Sequence, residues 1–278
     1  MITKDISISR PKVTKNKFLE LSGKLWFITA VMGQFIFAFY IATFYGTSAA
    51  AADFDKWNEV LPHGYSAGDT MGNLGLAIHL LFAVIITVGG PLQFIPGIRK
   101  KFPSFHRWNG RMFVLTALIM SFSGLYLSFS GRDLVGDIFQ HIGLIIGAFL
   151  IIIFSGLTYR TAVSRNFKKH GNWAFRLFLI VNGVWFFRVG LMFWLILHGG
   201  PVGFDAETFQ GPFLTFLSFA VSAGGLTLGI HELFLLAKKQ PNPIWKNVMA
   251  VTLTLFTLIT GIGIFAATMG MWLPRVGI

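Results

Sequence analysis

The chain has 278 residues, of which 54% are hydrophobic and only 12% charged, a balance that excludes an ordinary water-soluble protein. It has no cysteine, which excludes disulfides, thiolate metal sites, iron–sulfur clusters and covalently attached c-type haem. The formal net charge of +12 indicates membrane topology and attraction to anionic lipid, because no soluble basic module is present that would bind nucleic acid. We therefore predict an all-α integral membrane protein.

About seven apolar runs are long enough to span a bilayer, which takes roughly 20 mostly apolar residues. They cover residues 25–45, 71–94, 105–129, 138–159, 173–197, 213–236 and 248–272. A basic arm, 1–24, precedes a single transmembrane domain, 25–278. The first run ends in small residues that resemble a signal-peptide cleavage site, but its length and charged lead favour a retained first span.

Charged residues predict the orientation of these spans. Lysine and arginine cluster in the N-terminal arm and in the loops after spans two, four and six, whereas most acidic residues lie in the opposite loops. Basic residues in short loops stay on the cytoplasmic side. We therefore predict a multi-pass protein of the cytoplasmic membrane, with the N-terminus inside and the C-terminus outside.

Spans two to five resemble a duplicated two-span unit, with core repeats 71–129 and 138–197. Residues 105–113 are similar in sequence to residues 169–178, and one inserted residue aligns a histidine, an arginine and the following aromatic residue. This internal pseudo-repeat predicts a central four-helix bundle.

Four histidines occupy corresponding positions in the two units. Topology places His79 and His141 in the outer half of the membrane, and His106 and His170 at its inner edge. Two imidazoles saturate a haem iron and favour electron transfer over oxygen chemistry. Because the histidines form two pairs, each at one depth in the membrane, they predict one or two haem b groups. Singly, each is also explained as a hydrogen-bonded packing residue, a proton relay or an interfacial residue.

Three arginines complete the predicted cofactor sites. Arg188 lies deep in span five, where an unpaired charge is costly, and about five helical turns place it on the face of His170. Its predicted partner is Asp137, a haem propionate or a quinone-like ligand. Arg111 and Arg176 are predicted to anchor inner propionates or an anionic reductant, although retention of positive charge on the inside explains them equally well.

Two short pairs of residues have local interpretations. His231 and Glu232, near the inner end of span six, could form a relay or a substrate contact, and a mutually satisfied polar pair explains them as well. Gly143 and Gly147 form a small-xxx-small pattern that predicts close helix packing.

Four stretches carry a family resemblance: Gly-Pro-Leu-Gln-Phe at 90–94, His-Arg-Trp-Asn-Gly-Arg at 106–111, Ser-Gly-Leu-Tyr-Leu at 123–127, and residues 170–176. They resemble an uncharacterised family of predicted bacterial membrane proteins, the domain of unknown function 2306. The resemblance covers spans two to five and implies no activity.

The alternating histidines also resemble, more distantly, the cytochrome b561 type of di-haem membrane cytochrome, in which spans two and four hold one haem and spans three and five the other. The resemblance implies that His79 pairs with His141, and His106 with His170. This chain has one span more than that type, and its inner histidines lie closer to the membrane edge.

Transmembrane electron transfer by a di-haem b-type protein is the leading functional hypothesis. Electrons would pass from a cytoplasmic or quinol donor to an external acceptor, such as ferric iron or a redox protein. One alternative is a transporter or channel for a small anionic or lipidic molecule, with Arg188, Asn182 and Gln93 as its polar path. Another is a non-catalytic accessory subunit whose phenylalanine-rich surface, with 31 Phe in the chain, docks lipid or a membrane protein.

Overall fold

A computed structural model describes residues 15–60, 64–129 and 136–278. Helices make up most of these residues, and the only β-type pairing within them is an isolated bridge between Asp205 and Gln210. The predicted all-α class is thus confirmed. Most of the basic arm lies outside the described residues.

The α-helices are α1 (Lys17–Ala50), α2 (Thr70–Leu92), α3 (Pro96–Lys101), α4 (Pro103–Phe129), α5 (Ile138–Val163), α6 (Phe167–Val181), α7 (Gly183–His198), α8 (Pro212–Leu217), α9 (Gly225–Lys239), α10 (Pro243–Ala267) and α11 (Leu273–Arg275). A 3-10 turn covers Asp55–Glu59, and π-helical turns cover Ser218–Ser222 and Thr268–Trp272.

Within the described residues, four helical segments are long and apolar enough to cross a membrane: α1, α2, α5 and the segment Pro243–Arg275 that begins with α10. The bent pairs α6 with α7 and α8 with α9 raise the number to six if each pair is one span. α4 adds 27 helical residues, about 40 Å at 1.5 Å per residue. The seven predicted apolar runs lie largely in these helices.

The first helix begins inside the predicted basic arm. The Asn16 side chain caps α1 by accepting a hydrogen bond from the Leu19 N–H at 2.9 Å. Its amide nitrogen donates to the side-chain oxygen of Asn247 at 2.8 Å, which ties this end of α1 to α10. Leu19 and Ser22 are buried. The last part of the arm is therefore packed helix.

The predicted fifth span is broken into α6 and α7, which meet at 53°. The buried Asn182 side chain donates to the carbonyl of Phe178 at 2.8 Å, and such local bonds compete with regular helix. A Cβ on Gly183 would lie 2.9 Å from the Cα atom of Ser222, so glycine allows close approach at the break. The prediction that His170 and Arg188 share one helix face requires an unbroken helix, so this prediction is wrong.

The central bundle is packed in the half that lies nearer to α3. Ile86, Phe113, Phe154, Leu177 and Ile180 form one buried apolar cluster, and they come from α2, α4, α5 and α6. All four elements of the predicted four-helix bundle thus contribute to a common core. A larger aromatic core lies where α1 and α7 pack against α10.

Candidate functional sites

His79 and His141, which were predicted to form the outer pair, lie on helices that both pack against α4. α2, which carries His79, packs against α1 and α4, whereas α5, which carries His141, packs against α4 and α6. His79 is exposed and lies near the charge of Arg188. The Nδ1 atom of His141 is buried without a hydrogen-bond partner. The structure thus places His79 near Arg188, and the helices of His79 and His141 share α4 as a neighbour but otherwise pack against different helices.

His106 and His170, which were predicted to form the inner pair, each lie at the start of a helix. His106 at the start of α4 and His170 at the start of α6 lie close enough for their charges to interact. Nδ1 of His170 donates to the carbonyl oxygen of Thr158 at 3.1 Å. This bond fixes the ring and leaves Nε2 free, which is the usual arrangement of a metal-ligating histidine.

His106 belongs to a hydrogen-bond network that places its proton differently. The Gln93 amide nitrogen donates to Nδ1 of His106 at 3.0 Å and to its carbonyl oxygen at 3.2 Å. The Gln93 amide oxygen accepts from the Gly110 N–H at 3.1 Å and from the Asn109 side chain. Because Nδ1 accepts, the neutral ring carries its proton on Nε2. The Nδ1 atom of His106 thus accepts a hydrogen bond, whereas Nδ1 of a metal-ligating histidine usually donates one.

Asn109 joins α4 to the end of α2. Its amide nitrogen donates to the Gly89 carbonyl oxygen at 2.8 Å, and the residue is buried. A Cβ on Gly89 would lie 2.9 Å from the Asn109 amide oxygen, and one on Gly90 would lie 2.9 Å from the Phe113 ring. Two of the four stretches that carry the family resemblance, 90–94 and 106–111, therefore lie at the contact between α2 and α4.

Arg176 forms an ion pair that sequence reasoning missed. Its Nε and Nη2 atoms donate to the two carboxylate oxygens of Glu232 at 2.6 and 2.9 Å, and its guanidinium lies 4.6 Å from the Trp173 ring centroid. Glu232 is thus satisfied by Arg176 on α6, so the proposed mutual pairing of His231 with Glu232 is wrong. The guanidinium of Arg176 is engaged by protein, whereas Arg111 is exposed.

Asp137 is not the partner of Arg188. Its carboxylate caps α5 by accepting from the Gln140 N–H at 2.8 Å, and it accepts from the Thr215 hydroxyl at 2.8 Å. Desolvation acts in the opposite direction, but these hydrogen bonds hold the pKa of Asp137 below its ordinary value. Arg188 has only the Val184 carbonyl oxygen at 3.4 Å as a hydrogen-bond acceptor within the described chain.

A cavity of about 640 Å³ lies between α1, α6, α7, α9 and α10. Its volume is within the range of small-molecule sites. Aromatic and aliphatic side chains make up most of its wall, and Glu20, Lys24 and Lys238 lie where α1 begins and α9 ends. None of the four predicted haem histidines lines it.

Two polar atoms in the wall of this cavity lack partners. His231 is 8% exposed, and its Nε2 atom is buried without a hydrogen bond. The buried hydroxyl of Thr227, one helical turn earlier on α9, is also unpaired. The His231 ring packs on Phe175 at a centroid distance of 4.9 Å. Buried polar groups normally have partners, so this face of α9 is suited to hydrogen-bond a ligand.

Metal ligation by a larger cluster has no support in the part of the chain that the structure describes. No group of three or more His, Cys, Asp or Glu side chains within it could hold a metal ion. A haem b uses only two histidines, so its fit depends on the pairs described above. His170 fits the hydrogen-bond pattern of a ligand, and His106 does not.

The long apolar helices define a multi-pass, all-α membrane protein. Residues 76–207 match the model of the family described as Predicted membrane protein (DUF2306), which confirms the resemblance seen in spans two to five. No curated protein and no solved structure matches the chain significantly. α1, α9 and α10, which supply part of the cavity wall, lie outside the matched segment.

Proposed function

We propose that this protein binds a small lipid-like molecule in the cavity between α1, α6, α7, α9 and α10 and carries it within the membrane. The observation that carries this proposal is the apolar cavity of about 640 Å³ with the unpaired Nε2 of His231 and hydroxyl of Thr227 in its wall. A mostly apolar site with a few convergent polar atoms is typical of small-molecule binding. The ligand would be largely apolar and carry one hydrogen-bonding group.

The two broken helices support movement of the ligand rather than static storage. The cavity is lined on both sides of the 53° break by Phe175 and Val189, and on both sides of the 42° break by Val221 and Ile230. Discontinuous helices line the substrate sites of many membrane carriers. Irregular backbone at membrane depth is tolerated where protein or a cavity surrounds it.

The charged residues support an orientation for this carrier. Lys24 and Lys238 lie at the same end of the molecule as the basic residues of α3, whereas Asp69 and Asp137 cap helices at the opposite end. By the positive-inside rule, the basic end faces the cytoplasm. We therefore place the protein in the cytoplasmic membrane with its N-terminus inside.

Removing the polar atoms of the cavity is expected to release the ligand. The protein purified in mild detergent should retain a small molecule that organic extraction and mass spectrometry identify. The double variant Thr227→Val and His231→Leu should retain it at least about tenfold less well, because it loses two hydrogen bonds. His198→Leu is the matched control, since His198 is exposed and lies outside the cavity. Equal retention by all three proteins would contradict the proposal.

Electron transfer by a b-type cytochrome is the second candidate. The proximity of His106 and His170 and the free Nε2 of His170 favour it. When bound, a haem would supply one-electron transfer between a quinol or redox-protein donor and an external acceptor. The proton that Gln93 holds on Nε2 of His106 argues against ligation by that residue.

The absorbance spectrum separates the two candidates. We expect protein purified from haem-replete cells to show no Soret band and no dithionite-reduced α band, because His170 fits the hydrogen-bond pattern of a ligand and His106 does not. A stoichiometric Soret band that His170→Ala abolishes would instead establish the cytochrome. Loss of the His106 network in Gln93→Leu, by contrast, should leave the spectrum featureless.

A further inference from the structure

We propose a second binding site in the outer half of the protein, an anion site in which Arg188 and Tyr40 hold a carboxylate or phosphate group. The site does not depend on the proposed carrier function, because it lies outside the cavity that His231 lines. Arg188 is on α7, at the level of the aromatic residues in the outer part of α1. Its guanidinium stands 5.7 Å from the centroid of the Phe37 ring.

The guanidinium of Arg188 has unused donors. Arginine carries several N–H groups in a planar fork and stays protonated in proteins. The only hydrogen bond it makes within the described chain is a long one, 3.4 Å, to the carbonyl of Val184 on its own helix. A charge at membrane depth needs a counter-charge or strong hydrogen bonds. Among the described residues, the packing around Arg188 supplies neither a counter-charge nor a strong hydrogen bond.

A second unpaired donor lies beside the arginine. The Tyr40 side chain is 3% exposed, and its hydroxyl has no hydrogen-bond partner that meets normal geometry. The Tyr40 ring lies 6.2 Å from the Phe37 ring, the same ring that the Arg188 guanidinium approaches, and 6.4 Å from the Tyr45 ring. A partly exposed guanidinium and a buried phenol thus lie beside the same ring, and among the described residues neither has an acceptor other than the distant Val184 carbonyl.

Charges around the site favour an anion from outside the chain. Arg275 follows Trp272 by three residues, the Trp272 ring packs on Tyr40 at a centroid distance of 6.3 Å, and the Arg275 Nη1 atom donates to the carbonyl of Met271 at 3.1 Å. Glu59 follows Trp57 by two residues, the Trp57 ring packs on Tyr45 at 5.7 Å, and Glu59 itself is exposed. The local balance is therefore positive, and a bound anion would neutralise it.

The ligand chemistry follows from the donors. A planar guanidinium binds carboxylate or phosphate oxygens through two parallel hydrogen bonds, and a phenol can add a third. Access is available because Arg188 is partly exposed and the neighbouring His79 on α2 is exposed. The same group could belong to a free anion or to the head group of an anionic lipid, and the experiment distinguishes these two sources.

Thermal unfolding of the full-length protein in detergent tests the free anion. Inorganic phosphate should raise the unfolding midpoint of the natural protein relative to chloride at equal ionic strength. Arg188→Gln should weaken phosphate binding about tenfold or more, and Tyr40→Phe, which keeps the packing, about three- to tenfold. Arg111→Gln is the matched control, because Arg111 is an exposed arginine elsewhere in the chain and should keep the full shift.

Native mass spectrometry after reconstitution into phosphatidylglycerol or phosphatidylcholine nanodiscs tests the lipid source. Retention of phosphatidylglycerol by the natural protein but not by Tyr40→Phe or Arg188→Gln, without a phosphate shift, would assign the site to a lipid head group. A phosphate shift alone would assign it to a free anion. If both Tyr40→Phe and Arg188→Gln behave like the natural protein in both experiments, the anion site is overturned. His231→Leu should leave both results unchanged, so failure of the carrier proposal can be told apart from failure of the anion site.

Discussion

Gly147→Ala should lower the stability of the protein by about 1–3 kcal/mol, whereas Gly156→Ala on the same helix should raise it by roughly 0.5–1 kcal/mol. A Cβ on Gly147 would overlap the carbonyl oxygen of Ser222 in the π-helical turn. Because this neighbour is backbone, it cannot move away as a flexible side chain could. A Cβ on Gly156 meets no atom within 4 Å, so alanine there only improves helix propensity.

The comparison is made by thermal or denaturant unfolding in one detergent, with both variants on α5. Opposite signs would establish that the small residue at Gly147 is needed for packing rather than for backbone flexibility. Equal effects would contradict this account. Because Leu217 and Val221, next to the same turn, line the cavity, Gly147→Ala should also reduce ligand retention, which Gly156→Ala should not.

The helical architecture was predictable because it depends on local composition. Runs of about 20 apolar residues define spans wherever they occur, and the Gly143 and Gly147 pattern correctly indicated close packing, which the contact with Ser218 and Ser222 confirms. The break after Val181 was not predicted, because an Asn-Gly step inside an apolar run does not by itself end a helix. The approach of the π-helical turn to Gly183, which is distant in sequence, accompanies the break.

The site residues were harder to predict because their partners are distant in sequence. Arg176 and Glu232 are 56 positions apart, and nothing local links them. His106 was predicted from its spacing to other histidines, yet Gln93 sets the position of its proton. The sequence did contain a signal for the cavity: Thr227 and His231 lie one helical turn apart on the same face of α9. That signal had meaning only once five helices were known to surround it.

Glu232→Gln should destabilise the protein by about 1.5–3 kcal/mol, the usual value of hydrogen bonds to charged groups. The Arg176 side chain is 16% exposed and that of Glu232 46%, so solvent screens the pair from one side only. Removing the negative charge leaves the mostly buried guanidinium over Trp173 without its carboxylate. That loss is larger than the loss of a typical surface ion pair.

A double-mutant cycle with Arg176→Gln measures the interaction itself. The double variant should be less destabilised than the sum of the two single variants, because no uncompensated charge remains. Additive effects would mean that the two side chains act independently. The pair joins α6 to α9, one helix from each broken span, and both line the cavity. If the pair holds these walls together, ligand retention should fall in each single variant and recover partly in the charge-neutral double variant. A loss of stability without any loss of retention would assign the ion pair to folding alone.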